Sequence, residues 1–390
     1  MSDAAALPDF ASWKAAAVPT GGPSIAVDGL TPAAWDRLTG RFADVNRFQT
    51  AAYADGLRGP GRMSHLVLLR NGDPVAGARV ALMRPPGLPV GVAYVKGGPF
   101  WRRHGRAADP DVYREILAAL WAEYGDRRGL CLTVCPSPHP DYQEVEAALL
   151  RESGFRRNRD GAGNDSFLMR LGPDAEGMRA DLSQKWRYNL KLAERNGLAV
   201  RFRDPMEALP EFHLLHDALI ARKRFIDREA LHTLPALFRQ LPPERVLVAT
   251  VAHDGETVAA AIVIAGGDVA HYLFGATADA GLSLRAGYAL HWGIACRLAA
   301  SGAAWYDLGA GIGNPGLRLF KQGLVGRSGR VLASAGEFDH AATPRAVLGG
   351  RLLYGLRDIR VRASGLHERA RTRLLAGLRR VAPARSVAGA

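Results

Sequence analysis

The chain has little cysteine, no long apolar run and fewer acidic than basic residues. Its 390 residues include three cysteines, which excludes a disulfide framework and predicts that Cys131, Cys135 and Cys296 are reduced, buried thiols. The longest strongly apolar run, residues 258–265, is too short to cross a bilayer. The first 22 residues lack the basic start and apolar block of a signal peptide. These features predict a cytoplasmic protein.

Several motifs that carry enzyme chemistry are also missing. The sequence contains no H-E-x-x-H, no C-x-x-C, no G-x-S-x-G and no phosphate-binding G-x-x-x-x-G-K-[ST]. His213 and His216 lie three apart on a predicted helix, but nothing supplies a third metal ligand, which favours a structural role. A G-x-G-x-x-G match at residues 311–316 contains Pro315 and lacks surrounding parallel-strand repeats. We therefore expect no metal, no resident cofactor and no catalytic triad.

The charge balance is strongly basic. Lys and Arg total 51 against 38 acids, which gives a net charge of +13. Residues 341–390 hold 11 arginines, no lysine and two acids, so they contribute +9 of that excess. Such a field favours nucleic acid, an anionic membrane surface or a phosphorylated substrate. The alternative is a basic protein from a GC-rich genome, where arginine is frequent, without such a partner.

The order of predicted elements indicates two domains of one plan. A loose leader (residues 1–30) precedes an N-terminal domain (31–163), in which helices, hairpin strands, a helix, a strand and a helix follow one another. A polar, glycine-rich break at residues 159–165 precedes a C-terminal domain (164–340) with the same order. An arginine-rich helical tail (341–390) follows. The predicted fold class is α/β (α+β), with a mixed, largely antiparallel sheet flanked by helices in each domain.

The most informative stretch covers residues 304–323. A short buried strand ends at Asp307, a glycine-rich turn that includes Gly309 follows, and a short helix then carries Lys321. A lysine at the end of a glycine-rich turn can stabilise negative charge on a reacting carbonyl. Lys321 and Asp307 are therefore the candidate catalytic residues.

Two further segments could bind phosphate. On the helix predicted at residues 183–197, Lys191 and Arg195 fall opposite the apolar face, so that face is either a phosphate-binding groove or simply solvated. A second helix is predicted to start near Gly287. Its first backbone amides, with Arg285 beside them, would form an anion site.

Five segments, spread over residues 45–340, carry a family resemblance. They are F-Q-T-A-A-Y at 48–53, V-A-Y-V-K-G-G-P-F-W at 92–101, K-W-R-Y-N-L with A-E-R-N-G at 185–197, Arg222 with Phe225, and Y-D-L-G with G-L-R-L-F-K-Q-G at 306–323. In this order and spacing they resemble the FemABX family of aminoacyl-tRNA-dependent peptidyltransferases. Members of that family contain two GNAT-like domains in tandem, and the resemblance places the active site in the second.

The resemblance implies amide synthesis, in which an amine of a peptidoglycan precursor or similar acceptor attacks the ester of an aminoacyl-tRNA. Lys321 matches the family lysine thought to stabilise the oxyanion, and Arg222 would hold a substrate phosphate. The remaining candidate residues bind substrate or tRNA. Those for substrate are Tyr272, Arg285, Gly287, Tyr288 and Gly309; those for tRNA are Lys191, Arg195, Arg351, Arg357 and Arg360.

The chain departs from the family in lacking room for the coiled-coil arm that some members insert, and in adding the basic tail. The tail could replace the arm on tRNA, or touch the inner membrane surface. Two other functions stay open. One is N-acyl transfer from acyl-CoA, although Leu284 stands where the usual GNAT pyrophosphate motif has Gln or Arg. The other is a non-catalytic adaptor that binds RNA or anionic lipid.

Overall fold

The computed structural model describes residues 23–59, 61–85, 87–88, 90–223, 231–310, 315–357 and 359. Phe225, Gly311, Gly313 and Arg360 lie outside these ranges, as do most of the leader and most of the tail. Twelve strands are present: β1 Ser24–Val27, β2 Met63–Arg70, β3 Asp73–Met83, β4 Val92–Lys96, β5 Cys131–Cys135, β6 Arg156–Arg170, β7 Val200–Arg203, β8 Val246–His253, β9 Glu256–Ile264, β10 Val269–Thr277, β11 Trp305–Asp307 and β12 Arg330–His340.

The same ranges contain twelve α-helices, three of which adjoin residues outside the ranges. They are α1 Pro32–Thr39, α2 Ala51–Arg58, α3 Pro110–Leu120, α4 Gln143–Glu152, α5 Ala175–Asp181, α6 Gln184–Arg195, α7 Pro205–Lys223, α8 Leu234–Gln240, α9 Asp279–Ser283, α10 Ala286–Ala300, α11 Pro315–Val325 and α12, residues 344–357. Within the described ranges, no helix has the length and apolar character needed to cross a bilayer.

One mixed sheet contains all of these strands, in the order β1-β2-β3-β4-β5-β12-β6-β11-β10-β9-β8-β7. Each half begins with an antiparallel meander, β2–β3–β4 and β8–β9–β10. In each half a helix then crosses to a parallel neighbour, α3 from β4 to β5 and α10 from β10 to β11. The predicted fold class, with one plan used twice, is therefore confirmed.

The last strand of each half joins the two halves together. β6 pairs with β12 along most of its length, and its C-terminal end pairs with β11 in the second half. The end of β12 returns to pair with β5 in the first half. Residues 159–165, predicted as a break between domains, therefore lie inside β6, because long-range pairing with β12 orders a polar, glycine-rich segment.

Local sequence signals account for many of the element boundaries. Thr31 caps α1 through its side chain, and Pro32 opens the helix, as expected. The Asn71–Gly72 turn has positive φ at both residues, 52° and 76°, which suits the tight β2–β3 hairpin. The helix predicted at residues 183–197 is α6, with Ser183 as its N-cap. One segment differs from expectation: residues 24–27 of the predicted leader form β1 against β2.

Candidate functional site

Two adjoining cavities open on the C-terminal half, and together we name them the C-terminal cleft. Cavity A, about 460 Å³, lies between β10, α10 and the start of α11. Cavity B, about 390 Å³, lies between α6 and α11. Tyr288, Gly316 and Phe320 line both cavities. A connected space of this size can hold an extended small ligand.

An irregularity in β10 places Tyr272 in cavity A. The pairing of β10 with β9 shifts register between Tyr272 and Phe274, and a bulge of this kind redirects a side chain at a strand. Gly275 completes the arrangement, because a Cβ at this position would collide with the Tyr272 ring. The predicted substrate-binding Tyr272 thus lines the cleft, and a glycine that sequence reasoning had not singled out makes room for it.

The start of α10 forms the opposite wall of cavity A. Arg285 immediately precedes the helix in the left-handed conformation, with φ 65°, and makes no ion pair with another described residue. A Cβ on Gly287 would meet no atom closer than 4.0 Å, so there is open space in front of this residue. Helix starts carry unpaired backbone amides and partial positive charge. This wall is therefore suited to an anionic group.

Arg222 lines the same cavity from α7. Its guanidinium pairs with Asp279 and donates a hydrogen bond to the carbonyl oxygen of Thr277 at 3.1 Å. Arg222 therefore ties α7 to the end of β10 and leaves less of its charge for a ligand than Arg285 does. Arg222, Tyr272, Arg285, Gly287 and Tyr288, which the sequence predicted as substrate-binding residues, all line cavity A.

Aromatic rings form the floor where the two cavities meet. Tyr288 lies 4.9 Å from Trp186 and 5.0 Å from Phe320, measured between ring centroids. Phe320 in turn lies 5.4 Å from His291. Because these rings come from α6, α10 and α11, their packing fixes three helices around the cleft.

His291 is a residue of the cleft that sequence analysis missed. Burial, with a smaller effect from Lys321, lowers its pKa to about 3, so the imidazole is neutral near pH 7. Its Nδ1 lies 3.1 Å from the hydroxyl of Tyr306. A neutral imidazole on an aromatic wall can accept or donate one hydrogen bond to a ligand. In the sequence, the only sign of His291 is that a histidine interrupts a long apolar helix, and this pattern is common in protein cores.

Lys321 holds the turn that follows β11. Its side chain is 6% exposed, and Nζ donates to the carbonyl oxygens of Leu308 at 2.6 Å, Ala310 at 2.7 Å and Gly309 at 3.3 Å. The ammonium lies 6.0 Å from the centroid of the Tyr272 ring. Lys321 therefore lies one layer behind the wall of cavity A, with its charge fixed by three backbone dipoles.

Asp307 binds the same turn through a backbone amide, where Lys321 binds backbone carbonyls. Its carboxylate accepts a hydrogen bond from the amide of Gly309 at 2.8 Å and lies 3.4 Å from Nδ1 of His271. Burial alone would raise the pKa of Asp307, but the contacts with His271 and Gly309 hold it below its ordinary value. The two predicted catalytic residues thus meet at one turn, where Lys321 binds carbonyls and Asp307 binds an amide. Gly309, predicted to bind substrate, is the residue they share, with φ 68°.

A third cavity of about 260 Å³ lies on the N-terminal half, and we name it the N-terminal cavity. Phe48, Arg58, Tyr94 and Lys96 are among its lining residues. Lys96 makes no ion pair with another described residue, and its Nζ lies 3.9 Å above the centroid of the Phe48 ring. Burial, helped by the nearby Arg47, lowers the pKa of Lys96 to about 8. A buried cation without a carboxylate partner predisposes this cavity to bind an anion.

The F-Q-T-A-A-Y segment connects this cavity to the second half. Gln49 is fully buried, and its side-chain amide donates to the carbonyl oxygens of Arg79 and Lys96 at 3.3 and 2.9 Å. Tyr53 packs in a core cluster with helices and strands of the C-terminal half, among them Phe212. This segment therefore fixes the N-terminal cavity relative to the C-terminal cleft.

The residues predicted to contact tRNA lie on two separate surfaces. Lys191 and Arg195 are exposed on α6, whose Lys185 lines cavity B. Arg351 and Arg357 are exposed on α12, which packs on the N-terminal half, and Arg357 donates to Glu337 at 3.0 Å. The α6 pair thus lies on a helix that lines the cleft, whereas the α12 pair lies on a helix that packs on the other half of the molecule. The roles of all four in RNA binding stay predictions.

A buried charge cluster lies between the halves, outside the cleft. Arg102 contacts Asp268 at 2.6 Å and Asp44 at 3.8 Å, and Glu146 accepts the indole N–H of Trp101 at 2.8 Å. Burial raises the pKa of Glu146 to about 8 and that of Asp44 to about 7. Burial thus favours the protonated form of Glu146 and Asp44, whereas the contacts with His139 and Arg102 hold the pKa of Asp268 below its ordinary value.

Comparison with known proteins identifies proteins of similar sequence or fold. Residues 178–315 match the family described as the acetyltransferase (GNAT) domain. The crystal structure of FemX is similar with a TM-score of 0.68 and 14% identity, over 85% of this chain and 99% of FemX. No curated protein matches the chain in sequence.

Two further solved structures share the fold. The C-terminal domain of a putative lysylphosphatidylglycerol synthetase from Agrobacterium fabrum gives a TM-score of 0.53 at 14% identity, over 82% of this chain and 95% of that domain. A conserved protein of unknown function from Bacteroides thetaiotaomicron gives 0.52 at 12% identity, over 81% and 98%. The chain thus has a tandem GNAT-like fold, and its second half contains a match to the acetyltransferase (GNAT) domain. The resemblance to the FemABX family, read from its motifs, is confirmed as a likeness of fold.

Proposed function

We propose that the chain is an aminoacyltransferase that joins an aminoacyl group from aminoacyl-tRNA to an amine of a peptidoglycan precursor or a similar acceptor. The observation that carries this proposal is the C-terminal cleft. One of its walls offers cationic groups and a helix start, and behind another wall lies a turn fixed by Lys321. A donor with a phosphate at one end and an acyl carbonyl at the other fits such a cleft.

The donor would lie with a phosphate near Arg285 and the start of α10, where backbone amides and the guanidinium favour negative charge. Lys185 of α6 lines cavity B. Lys191 and Arg195, exposed on the same helix, would contact the sugar–phosphate backbone of the acceptor stem.

The reaction needs no covalent enzyme intermediate. The acceptor amine attacks the ester carbonyl carbon and forms the C–N bond. The resulting oxyanion collapses and the C–O bond to the ribose breaks, while the amine proton passes to the ribose oxygen. Lys321 would favour the oxyanion through its fixed positive charge, which acts from behind the wall of cavity A and not by a direct hydrogen bond, since charge oriented in advance need not reorganise during the reaction. Asp307 would act as a positioning residue by holding Gly309.

The acceptor is proposed to bind in the N-terminal cavity. Its available cations, Lys96 and Arg58, suit a phosphorylated precursor, and the rings of Phe48 and Tyr94 offer apolar contact. Tight anchoring of the F-Q-T-A-A-Y segment would keep the acceptor amine directed at the donor.

N-acyl transfer from acyl-CoA is the second candidate function. It is favoured by the GNAT domain match over residues 178–315 and by the same cationic wall of cavity A, which could hold a pyrophosphate. The two donors share phosphate and acyl groups, so only a direct comparison separates them.

The test incubates purified protein with a pool of charged tRNAs or with acetyl-CoA, each with a phosphorylated cell-wall precursor, and determines product masses. An aminoacyl mass increase on the precursor that depends on charged tRNA supports the proposal. An acetyl increase that depends on acetyl-CoA replaces it with the second function. Transfer in neither reaction, with tRNA still bound, would favour a non-catalytic adaptor.

A further inference from the structure

The last described helix exposes a row of large apolar side chains. Leu348, Leu352, Leu356 and Ile359 are 62%, 42%, 55% and 65% exposed, and their spacing of four, four and three residues puts them on one side of a helix. The opposite side of α12 is buried, with Tyr354 2% exposed. The row is thus presented outward by a helix that is already packed.

The connection between β3 and β4 packs against the helix that carries this row. A Cβ on Gly349 would meet Val90 and the backbone of Gly91 at 3.0 Å, so the helix lies directly on this connection. The same connection carries Leu88, 49% exposed, and the exposed Arg84. Large exposed apolar side chains grouped on one helix face mark an interaction site more strongly than scattered leucines do.

Arginines lie on the same helix as the row and follow it in the sequence. Arg345 and Arg351 are exposed on α12 itself. The 31 residues that follow Ile359 contain eight arginines and one acidic residue, Glu368. Leucine flanked by arginine on a helix is the pattern by which proteins bind anionic lipid surfaces.

The charge also decides between possible partners. RNA offers phosphates to the arginines but nothing that would bury four aliphatic side chains along a helix. A second copy docked through the same row would bring two sets of arginines together, and like charges disfavour that contact. An anionic bilayer complements both the apolar row and its basic border.

We propose that the lipid-binding row, formed by Leu348, Leu352, Leu356 and Ile359, docks this protein on the surface of an anionic lipid bilayer, with α12 lying in the plane of the headgroups. The leucines enter the boundary between headgroups and acyl chains, and the arginines contact lipid phosphates. This inference does not depend on the proposed transfer reaction.

The test uses the full chain and sedimentation with vesicles of phosphatidylcholine alone or mixed with phosphatidylglycerol. We expect binding to the mixed vesicles that weakens as salt is added. The Leu352→Asp/Leu356→Asp double variant should bind at least about tenfold more weakly, since two partly inserted leucines are replaced by charges.

A matched control carries Met206→Asp and Leu214→Asp on α7, where both side chains are exposed, 44% and 73%. It makes the same charge change away from the row and should bind vesicles like the unmodified chain. Urea unfolding of both variants checks that each is folded.

Three outcomes would overturn the proposal: vesicle binding unaffected by the α12 variant, vesicle binding weakened equally by the control, or no vesicle binding at all. In the last case, loss of tRNA binding in the α12 variant would assign the row to RNA. Loss of a dimer in analytical ultracentrifugation would assign it to a second copy.

Discussion

Replacing Lys321 with methionine tests the centre of the proposed site. The change removes the ammonium and keeps an unbranched side chain of similar length. Three carbonyl oxygens, of Leu308, Gly309 and Ala310, lose their donor. Hydrogen bonds to charged groups contribute about 1.5–3 kcal/mol each, and relief of the buried charge offsets part of this. We expect the free energy of unfolding to fall by about 2–4 kcal/mol.

The catalytic effect should be separable from this loss of stability. If the fixed charge stabilises the oxyanion, Lys321→Met lowers kcat by about 10²–10³-fold, because the interaction forms only in the transition state. The KM for aminoacyl-tRNA should change little, since Lys321 lies behind the wall of cavity A. Lys321→Arg keeps the charge without the three-carbonyl geometry, and we expect it to keep part of kcat.

The assay combines urea unfolding with initial rates of aminoacyl transfer, measured where each variant is fully folded. Two results would refute the reasoning. A fully folded Lys321→Met variant with an unchanged kcat would restrict Lys321 to holding the turn. A loss confined to KM would mean that the lysine binds the ground state of the donor.

Three further predictions follow from other residues. Glu146 is protonated in the native state below about pH 8 and ionised in the unfolded chain above about pH 4.5, so the free energy of unfolding should fall as pH rises between these values. Glu146→Gln should therefore be more stable than the unmodified chain at pH 8 by about 1–3 kcal/mol and no more stable at pH 5, in urea titrations at each pH; a difference that does not change with pH would contradict this. Lys96 loses its charge above about pH 8, so the KM for a phosphorylated acceptor should rise above that pH. In Lys96→Met this dependence of KM on pH should disappear, and an unchanged rise of KM in the variant would rule out Lys96 as the cause. Arg285→Gly should stabilise the fold by about 1 kcal/mol by relieving the left-handed backbone while weakening donor binding, and tighter donor binding would exclude the proposed anion site.

Local signals made much of the fold predictable. The Thr31–Pro32 start and the Asn71–Gly72 turn each depend on residues that are adjacent in sequence, so the pattern determines the geometry. The repeated order of a meander, a helix and a parallel strand also follows from hydrophobic periodicity. Arg285 and Gly287 were placed together because they flank one predicted helix start.

Long-range pairing escaped this reasoning. Residues 159–165 have the composition of a loop, yet they are strand because β12, far along the chain, supplies the partner. β1 was assigned to a leader for the same reason, since only β2 makes it a strand. Composition reports local preference, whereas strand pairing depends on the whole fold.

The candidate site shows the same limit at the level of side chains. Sequence spacing placed Lys321 close to Asp307, and the structure joins both to one turn. The spacing in the sequence could not show that the ammonium of Lys321 points toward three backbone carbonyls and not into the cavity. His291 escaped notice because its importance comes from rings contributed by other helices.

Because β6 and β12 pair across the two halves, each half supplies a strand that the sheet of the other half needs. A chain cut between residues 163 and 164 would divide β6 itself, so neither fragment would hold a complete central ladder. Two such fragments, expressed separately, should fold only when they are mixed and bind each other. The molecule would then behave as a natural split-protein pair, and its two repeats could not have diverged in geometry without changing together.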